Sequence, residues 1–316
     1  MLLLAGCETL AYYAQAVQGQ LSLLARAQPV ERLIADPATP ARLRERLALA
    51  RAIRNYAAKE LALPDNDSYR GYADLERPYA VWNVVAAPEF SLEPLQSCFP
   101  VAGCVSYRGF FSQAAAERHA GRLRAEGHDV FVYGVAAYST LGRFDDPLLS
   151  TFIHTPDAEL ARLIFHELAH QVVYAKDDTT FNESFAVTVE REGVRRWLAA
   201  TGRGAELAGF VESRRRNEEL TALLEEARKR LRALYATRLA PQALRERKRL
   251  EMEALGAKLK ATPRLAGMAP NNALLASFAA YTQLVPGFER LLAEEKGDLP
   301  RFYERVKALA KDKARP

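Results

Sequence analysis

Histidine, cysteine, methionine and tryptophan are scarce in this chain: five His, three Cys, three Met and two Trp among 316 residues. Three cysteines cannot build a disulfide-dense scaffold, and a chain of this length can bury a core without one. Long apolar runs are missing as well. No stretch reaches the roughly 18–20 apolar residues that a bilayer-spanning helix needs. Internal repeats and low-complexity linkers are absent. So is any basic run with interleaved aromatics, which argues against nucleic acid as a partner although the formal charge is +5 and the pI near 9.1. Lys and Arg are interleaved with Glu and Asp instead, the pattern of solvated helical surfaces. What remains, 49% hydrophobic and 26% charged, is the composition of a globular chain with a substantial core.

The N-terminal end stands apart. "MLLLAGC" is apolar and closes on Leu4-Ala5-Gly6-Cys7, which resembles the lipobox of bacterial lipoprotein signal peptides, in which the Cys becomes the lipidated first residue. Only six residues precede Cys7 and no charged n-region is among them, so the expectation carries with it either a true start upstream of Met1 or a trimmed N-terminus. It makes residues 1–7 the remnant of a signal, Cys7 a lipid anchor and the protein a periplasm-facing, membrane-anchored lipoprotein. Export permits disulfides. Cys98 and Cys104, in "CFPVAGC" with Pro100 and Gly103 between them, suit a short disulfide loop; two buried thiols are the alternative.

Along the chain, residues 8–63 read as helices, including a segment begun by Thr39-Pro40. Residues 64–111 bring turn residues, aromatics and β-branched residues, with strands expected at Tyr79–Val85 and Val105–Phe111. A helix over 112–127 closes at Gly127, and "HDVFVYGVAAYST" follows as a strand. A helix over 157–175, capped by Asp157, has Leu160, Leu163, Ile164, Leu168 and Val172 as its apolar positions. A second runs from about Asn182 to Ala200. Residues 205–238 and 242–260, separated by Pro241, form a charged helical hairpin whose stripe includes Leu220, Leu224, Leu231 and Leu234. "NNALLASFAAYTQLVPGFERLLAEE" is the last helical segment. The pattern predicts an α+β protein, predominantly α-helical. A small sheet packs on the 157–175 helix in one domain over 8–316: a helical part to 63, an α+β core over 64–200 and a helical part over 201–316.

Two of the five histidines stand in "FHELAHQ", residues 165–171. Residues four apart share a helix face, so His166 and His170 can aim imidazole nitrogens at one centre. Zinc accepts such nitrogens, and catalytic zinc sites use three protein ligands and keep one position open. Glu167 lies about 100° around the helix from His166. Its carboxylate is thus placed beside a water that a metal activates, where it can take the proton. This is the mechanics of H-E-x-x-H. Two structural histidines on a half-buried face are the bland reading; the apolar positions around them argue that they face something enclosed.

The third ligand is the next requirement. The metzincin continuation fails, because Val173 and Lys176 occupy the positions of its Gly and last His. Glu183, in "FNESFA", can return to the metal from a second helix, which gives the gluzincin set of His, His and Glu. The rival reading makes Thr180-Phe181-Asn182-Glu183 a capping box. His154, Asp177 and Asp178 are weaker ligand candidates. Tyr281, Tyr174 and Tyr138 are candidates to stabilise the oxyanion of peptide hydrolysis. The "VFVYGVAAYST" strand could pair with an extended peptide.

"LIFHELAHQVVYAKDDTTFNESFAVTVEREGVRRWL" resembles the aminopeptidase family of proteobacterial zinc-metallopeptidase-like lipoproteins, as do "PDNDSYRGYADLERPYAVWNVVAAPEFSLEP", "AYSTLGRFDDPLLST" and "NNALLASFAAYTQLVPGFE". The resemblance implies a gluzincin-type fold, a lipobox Cys and zinc-peptidase activity, with His166, His170 and Glu183 at the metal positions and Glu167 as general base. One departure from the thermolysin-like pattern matters. The Asp expected four residues after the ligand Glu is Val187 here, and Glu190 is the residue that can orient a ligand His instead. The expected function is therefore zinc-dependent hydrolysis of peptides, with Glu190, Asp145, Asp146 or Glu89 available to hold a substrate amine. The competing expectation is a non-catalytic envelope scaffold whose metal only staples the fold.

Overall fold

The structure is a computed structural model that describes residues 2–99, 103–260, 262, 265 and 267–312, with side chains except those of residues 2–11, 280 and 312. In chain order the elements are α1 (Leu2–Arg26), β1 (Gln28–Pro29), α2 (Val30–Ala35), α3 (Ala41–Leu61), β2 (Gly71–Ala73), β3 (Val81–Ala87), β4 (Ser97–Phe99), β5 (Gly103–Val105), β6 (Arg108–Phe110), α4 (Gln113–Ala125), β7 (Asp129–Val135) and β8 (Leu148–Leu149). The rest is helical: α5 (Asp157–Val172), α6 (Thr179–Ala200), α7 (Gly204–Tyr235), α8 (Pro241–Leu259), α9 (Asn272–Thr282), α10 (Val285–Glu294) and α11 (Leu299–Asp312). The architecture is α+β with helix predominating. Cys7 falls in α1 with its side chain outside the described ones, and Pro100 lies outside the described residues.

Among the described residues the one small sheet expected from sequence is three. β1-β2-β8 and β6-β3-β7 are three-stranded, and β4-β5 is a two-stranded hairpin. In the second sheet β3 is central and antiparallel to both neighbours, with Asn83 opposite Tyr133 and Gly109. All seven residues of β3 are buried, although side chains alternate between two faces. That requires cover on both. Trp82, Val84 and Ala86 pack with Ala116 and Ala120 of α4; Val85 and Ala87 pack with Ala273 of α9. This sheet is thus held between α4 and α9, a correction to the expectation that it packs on the histidine-bearing helix.

That helix, α5, packs chiefly against α6 and α3. Leu160, Ile164 and Leu168 repeat every four residues and are fully buried, which is why this segment is a core helix. Its first residue, Asp157, is the second surprise. Pro156 occupies the cap position, and Asp157 pairs with Arg46 of α3 and Arg203 ahead of α7. A carboxylate in the first turn favours the helix start electrostatically without being its cap. On the far side of α6, Phe181 and Phe185 meet Phe288 and Phe302, and Tyr303 donates to the Leu61 carbonyl at 2.9 Å. Each such ring removed from water contributes roughly 1.5–3 kcal/mol. α7 and α8 pack through Leu224, Leu231, Leu234, Met252 and Leu255, with Arg230 paired to Glu251 at 2.8 Å.

Three boundary expectations also move. Val105–Phe111 is divided, since Ser106 and Tyr107 break it into β5 and β6. "NNALLASFAAYTQLVPGFERLLAEE" is two helices, α9 and α10, interrupted at Gln283-Leu284; Ser184 Oγ there accepts from the Leu284 amide. α6 begins at Thr179, three residues before the expected start, because Asp178 caps it by accepting from the Phe181 amide.

Candidate metal centre

α5 and α6 form the most intimate pair among the described helices, and the group of side chains that could hold a metal lies between them. His166 and His170, one turn apart on α5, meet edge to face with ring centroids 4.9 Å apart. Glu183 reaches across from the second turn of α6. Its Oε2 is 3.3 Å from His166 Nε2 and 3.7 Å from His170 Nε2. Among the described residues these three form a buried group whose ligand atoms lie within 4.8 Å of one another. Because Asp178 caps α6, Glu183 is not the closing residue of a capping box, and its carboxylate faces the histidines instead.

Glu190, two turns after Glu183 on the same face of α6, accepts a hydrogen bond from His166 Nδ1 at 2.9 Å. The same oxygen accepts from Arg162 at 2.7 Å, and Arg162 forks onto Glu159 with its other nitrogens. His166 is therefore fixed at Nδ1 by Glu190, which leaves Nε2 for the centre. The four residues Arg162, His166, Glu183 and Glu190 alternate in charge preference across the helix pair.

The donor chemistry fits a divalent cation such as zinc. Burial pushes His170 down to about 4, so its imidazole stays neutral and keeps a lone pair. Its Nδ1 is buried with no partner, as a ring anchored only through its other nitrogen would be. Burial alone would depress His166 too, but hydrogen bonds to Glu183 and Glu190 carry it up to about 10. The carboxylate pair thus holds a positive charge at this point. Glu183 is itself below the ordinary carboxylate range; burial opposes this, and the two histidines outweigh it. Two imidazole nitrogens and one carboxylate are a common zinc set.

Glu167 behaves differently from its neighbours. It is buried beside the centre without a pairing cation, and burial raises it to about 7. A carboxyl poised there can both take and release a proton near neutrality. Four phenols complete the surroundings. Tyr107, Tyr133, Tyr174 and Tyr281 interact electrostatically with Glu183 or with one another, and burial followed by Glu183 pushes Tyr107 and Tyr281 well above the ordinary phenol value.

Tyr281 on α9 and Tyr174 are thus at the site. Tyr138 is not: it bonds Gln20 and stacks edge-on with Phe111. His154 is exposed, beside Arg42 and Arg46. Asp177 accepts from the Cys104 amide at 2.6 Å, and Asp178 is the α6 cap. Of the residues considered for a substrate amine, Glu89 forks onto Arg245, Asp145 is exposed, and Glu190 is committed to His166 and Arg162. Asp146 is buried and acts electrostatically on Glu167. Cys98 and Cys104 are joined in a disulfide, and Gly103 beside them packs on Asp177, bringing the β4–β5 hairpin against the α5–α6 connection. Sequence reasoning missed Tyr107, Tyr133 and Arg162. Only Arg162 left a readable signal, being one helical turn before His166.

A family model described as "Putative aminopeptidase" matches residues 11–315. No curated protein and no solved structure matches the chain significantly.

Proposed function

The chain belongs to the family described as "Putative aminopeptidase", and on that premise we propose that it is a zinc-dependent peptidase of gluzincin type that trims peptides from their free N-termini. The observation that carries the reading is the buried His166–His170–Glu183 group with Glu167 beside it. Zinc, when bound by those three residues, supplies Lewis-acid polarisation of the scissile carbonyl and acidifies water. The chain's own residues do the remainder. Glu167 takes a proton from the attacking water, whose oxygen forms the new bond to the carbonyl carbon. As the C–N bond breaks, Glu167 returns that proton to the leaving amine nitrogen. Glu190 keeps His166 oriented through Nδ1, and Arg162 keeps Glu190 charged. A phenol from Tyr281 or Tyr107 donates to the oxygen that gathers negative charge. β7 pairs only with β3 among the described strands, so its other edge can receive an extended peptide. Lipidation of Cys7 and a periplasmic setting belong to the same proposal and rest on the Leu4–Cys7 sequence.

The test combines elemental analysis with cleavage of a peptide library carrying free and blocked N-termini. Wild type should contain stoichiometric zinc and act only on free N-termini. Glu167→Gln should keep zinc and lose about 10²–10⁴-fold in rate. A wild-type protein without metal, or a Glu167→Gln variant as active as wild type, overturns the reading. Zinc without cleavage of any peptide favours a structural metal in a binding protein.

A further inference from the structure

β7 carries a pair of rings that the hydrolytic machinery above does not use. Residues two apart in a strand share a face, so Asp129, Phe131 and Tyr133 lie on one side of the sheet, paired with Ala87, Val85 and Asn83 of β3. The Phe131 and Tyr133 rings stack with centroids 5.2 Å apart. Both pack on the cluster of Val85, Ala87 and Ala273, and Tyr107 joins the same cluster. Tyr107 also belongs to the proposed centre, where Glu183 is its first charged neighbour. α9 makes a second link, since it packs on β3 and β7 and on α6, the helix of Glu183.

The rings are not sealed in. Every residue of β3 is buried, whereas Phe131 and Tyr133 are half-buried, as are Tyr107 and Tyr281. Half-buried aromatics packed on a core cluster form the wall of a recess rather than its filling. This wall has no spare charge. Asp129, next along the same face, is taken up by Lys248 at 2.8 Å and by the Asn272 amide at 2.8 Å. The buried Asn83 donates through Nδ2 to Tyr133 Oη at 3.4 Å, which steadies the phenol at the end of the stack. A peptide added along the edge of β7 that no described strand occupies would set alternate side chains on this face, with Cβ atoms about 5 Å from those of β7. A side chain held there meets ring edges and faces, and an aromatic one gains more from them than area burial alone.

We propose that Phe131 and Tyr133 form the pocket wall for the side chain of the substrate's first residue, and that the substrates are peptides beginning with an aromatic residue. The proposal rests on the peptidase reading, but binding of an aromatic amine to the wall does not require turnover. A cationic first residue would need a carboxylate of its own, and in that reading Glu183 holds the metal and Glu167 handles the proton. An acidic one is repelled by the same two carboxylates. A small one leaves both rings facing water.

The test compares kcat/KM for otherwise identical peptides whose first residue is Phe, Ala, Arg or Glu. Wild type should favour Phe over Ala about 10- to 100-fold. Tyr133→Leu should lower the value for the Phe peptide about 3- to 10-fold and leave the Ala peptide and bound zinc unchanged. Tyr133→Phe keeps the ring and should keep the preference. A wild type that favours the Ala, Arg or Glu peptide overturns the proposal. So does a Phe preference that survives Tyr133→Leu intact, and so do equal losses on all four peptides, which would mark Tyr133 as structural only. If wild type cleaves none of the four, the peptidase reading fails and saturation-transfer NMR with L-phenylalaninamide decides on the wall. A signal present in wild type and lost in Tyr133→Leu supports it. No signal in wild type, or equal signals in both proteins, removes it.

Discussion

At the scale of single residues, the buried carboxylates around the centre separate into two kinds. Glu183 and Glu190 have cationic or histidine partners and stay charged; Glu167 and Asp146 lack them and are raised by burial, Glu167 to about 7 and Asp146 to about 6. Asp146 gives a clean test through stability, because it is no proposed ligand and touches none. Its folded value lies above its ordinary 3.8, so the folded state holds the proton more tightly. The contribution to stability is therefore complete below about pH 3.8 and is lost as pH rises through about 6. Asp146→Asn should leave stability unchanged in acid and raise it at neutral pH by on the order of 2 kcal/mol. Urea unfolding of both proteins across that range reads it, and equal stability at neutral pH would show that burial does not raise Asp146.

Among the elements, the β4–β5 hairpin depends on one residue without a side chain. Gly103 has φ +75°, and a Cβ there would lie 2.3 Å from Asp177 Oδ1. Gly103→Ala should push the hairpin off the α5–α6 connection and break the Cys104–Asp177 bond. The expected loss is about 2 kcal/mol, seen as a lower Tm, with activity falling because Tyr107 follows the hairpin. A variant with wild-type Tm and activity would show that the hairpin docks elsewhere. Elements such as α5 were legible from the sequence because their signal is local: Leu160, Ile164 and Leu168 repeat at helical spacing, and His166 and His170 repeat at the same spacing on another face of the helix. The cap of α6 was not legible: the capping-box reading put it at Thr180, whereas Asp178 takes it, because several short polar side chains in a row can each accept from a helix amide. The cover of the β6-β3-β7 sheet was not legible. α9 is apolar around most of its circumference, so its sequence does not say which face meets β3. Nor was the grip of Arg54 on the 64–70 segment, which ends on the carbonyls of Pro64, Asn66 and Ser68 and so leaves no side-chain pattern to read.

For the whole molecule, metal binding and folding should be linked. The proposed ligands come from two helices, α5 and α6, whose packing is the centre of the main core. A cation that binds only the folded chain stabilises it by about 2.7 kcal/mol at a hundred times its Kd. Chelation should therefore lower Tm, and zinc should restore it; a Tm indifferent to both would mean that no ion is held between these helices. Legibility at this scale was lowest, since the 64–70 segment meets α5 through contacts about a hundred residues apart, such as Asn66 with Gln171. The pairing of α5 with α6 also bears on how the chain can change over evolutionary time. His166, Glu183 and Glu190 are fixed to one another through two helices and a connection pinned at Ala175, which exchanges two hydrogen bonds with Asn182, and at Asp177. One inserted residue anywhere from 166 to 190 would turn a helix by about 100° or unpin that connection. In related chains this window should keep constant length while the α7–α8 junction, which supports none of these groups, is free to gain or lose residues.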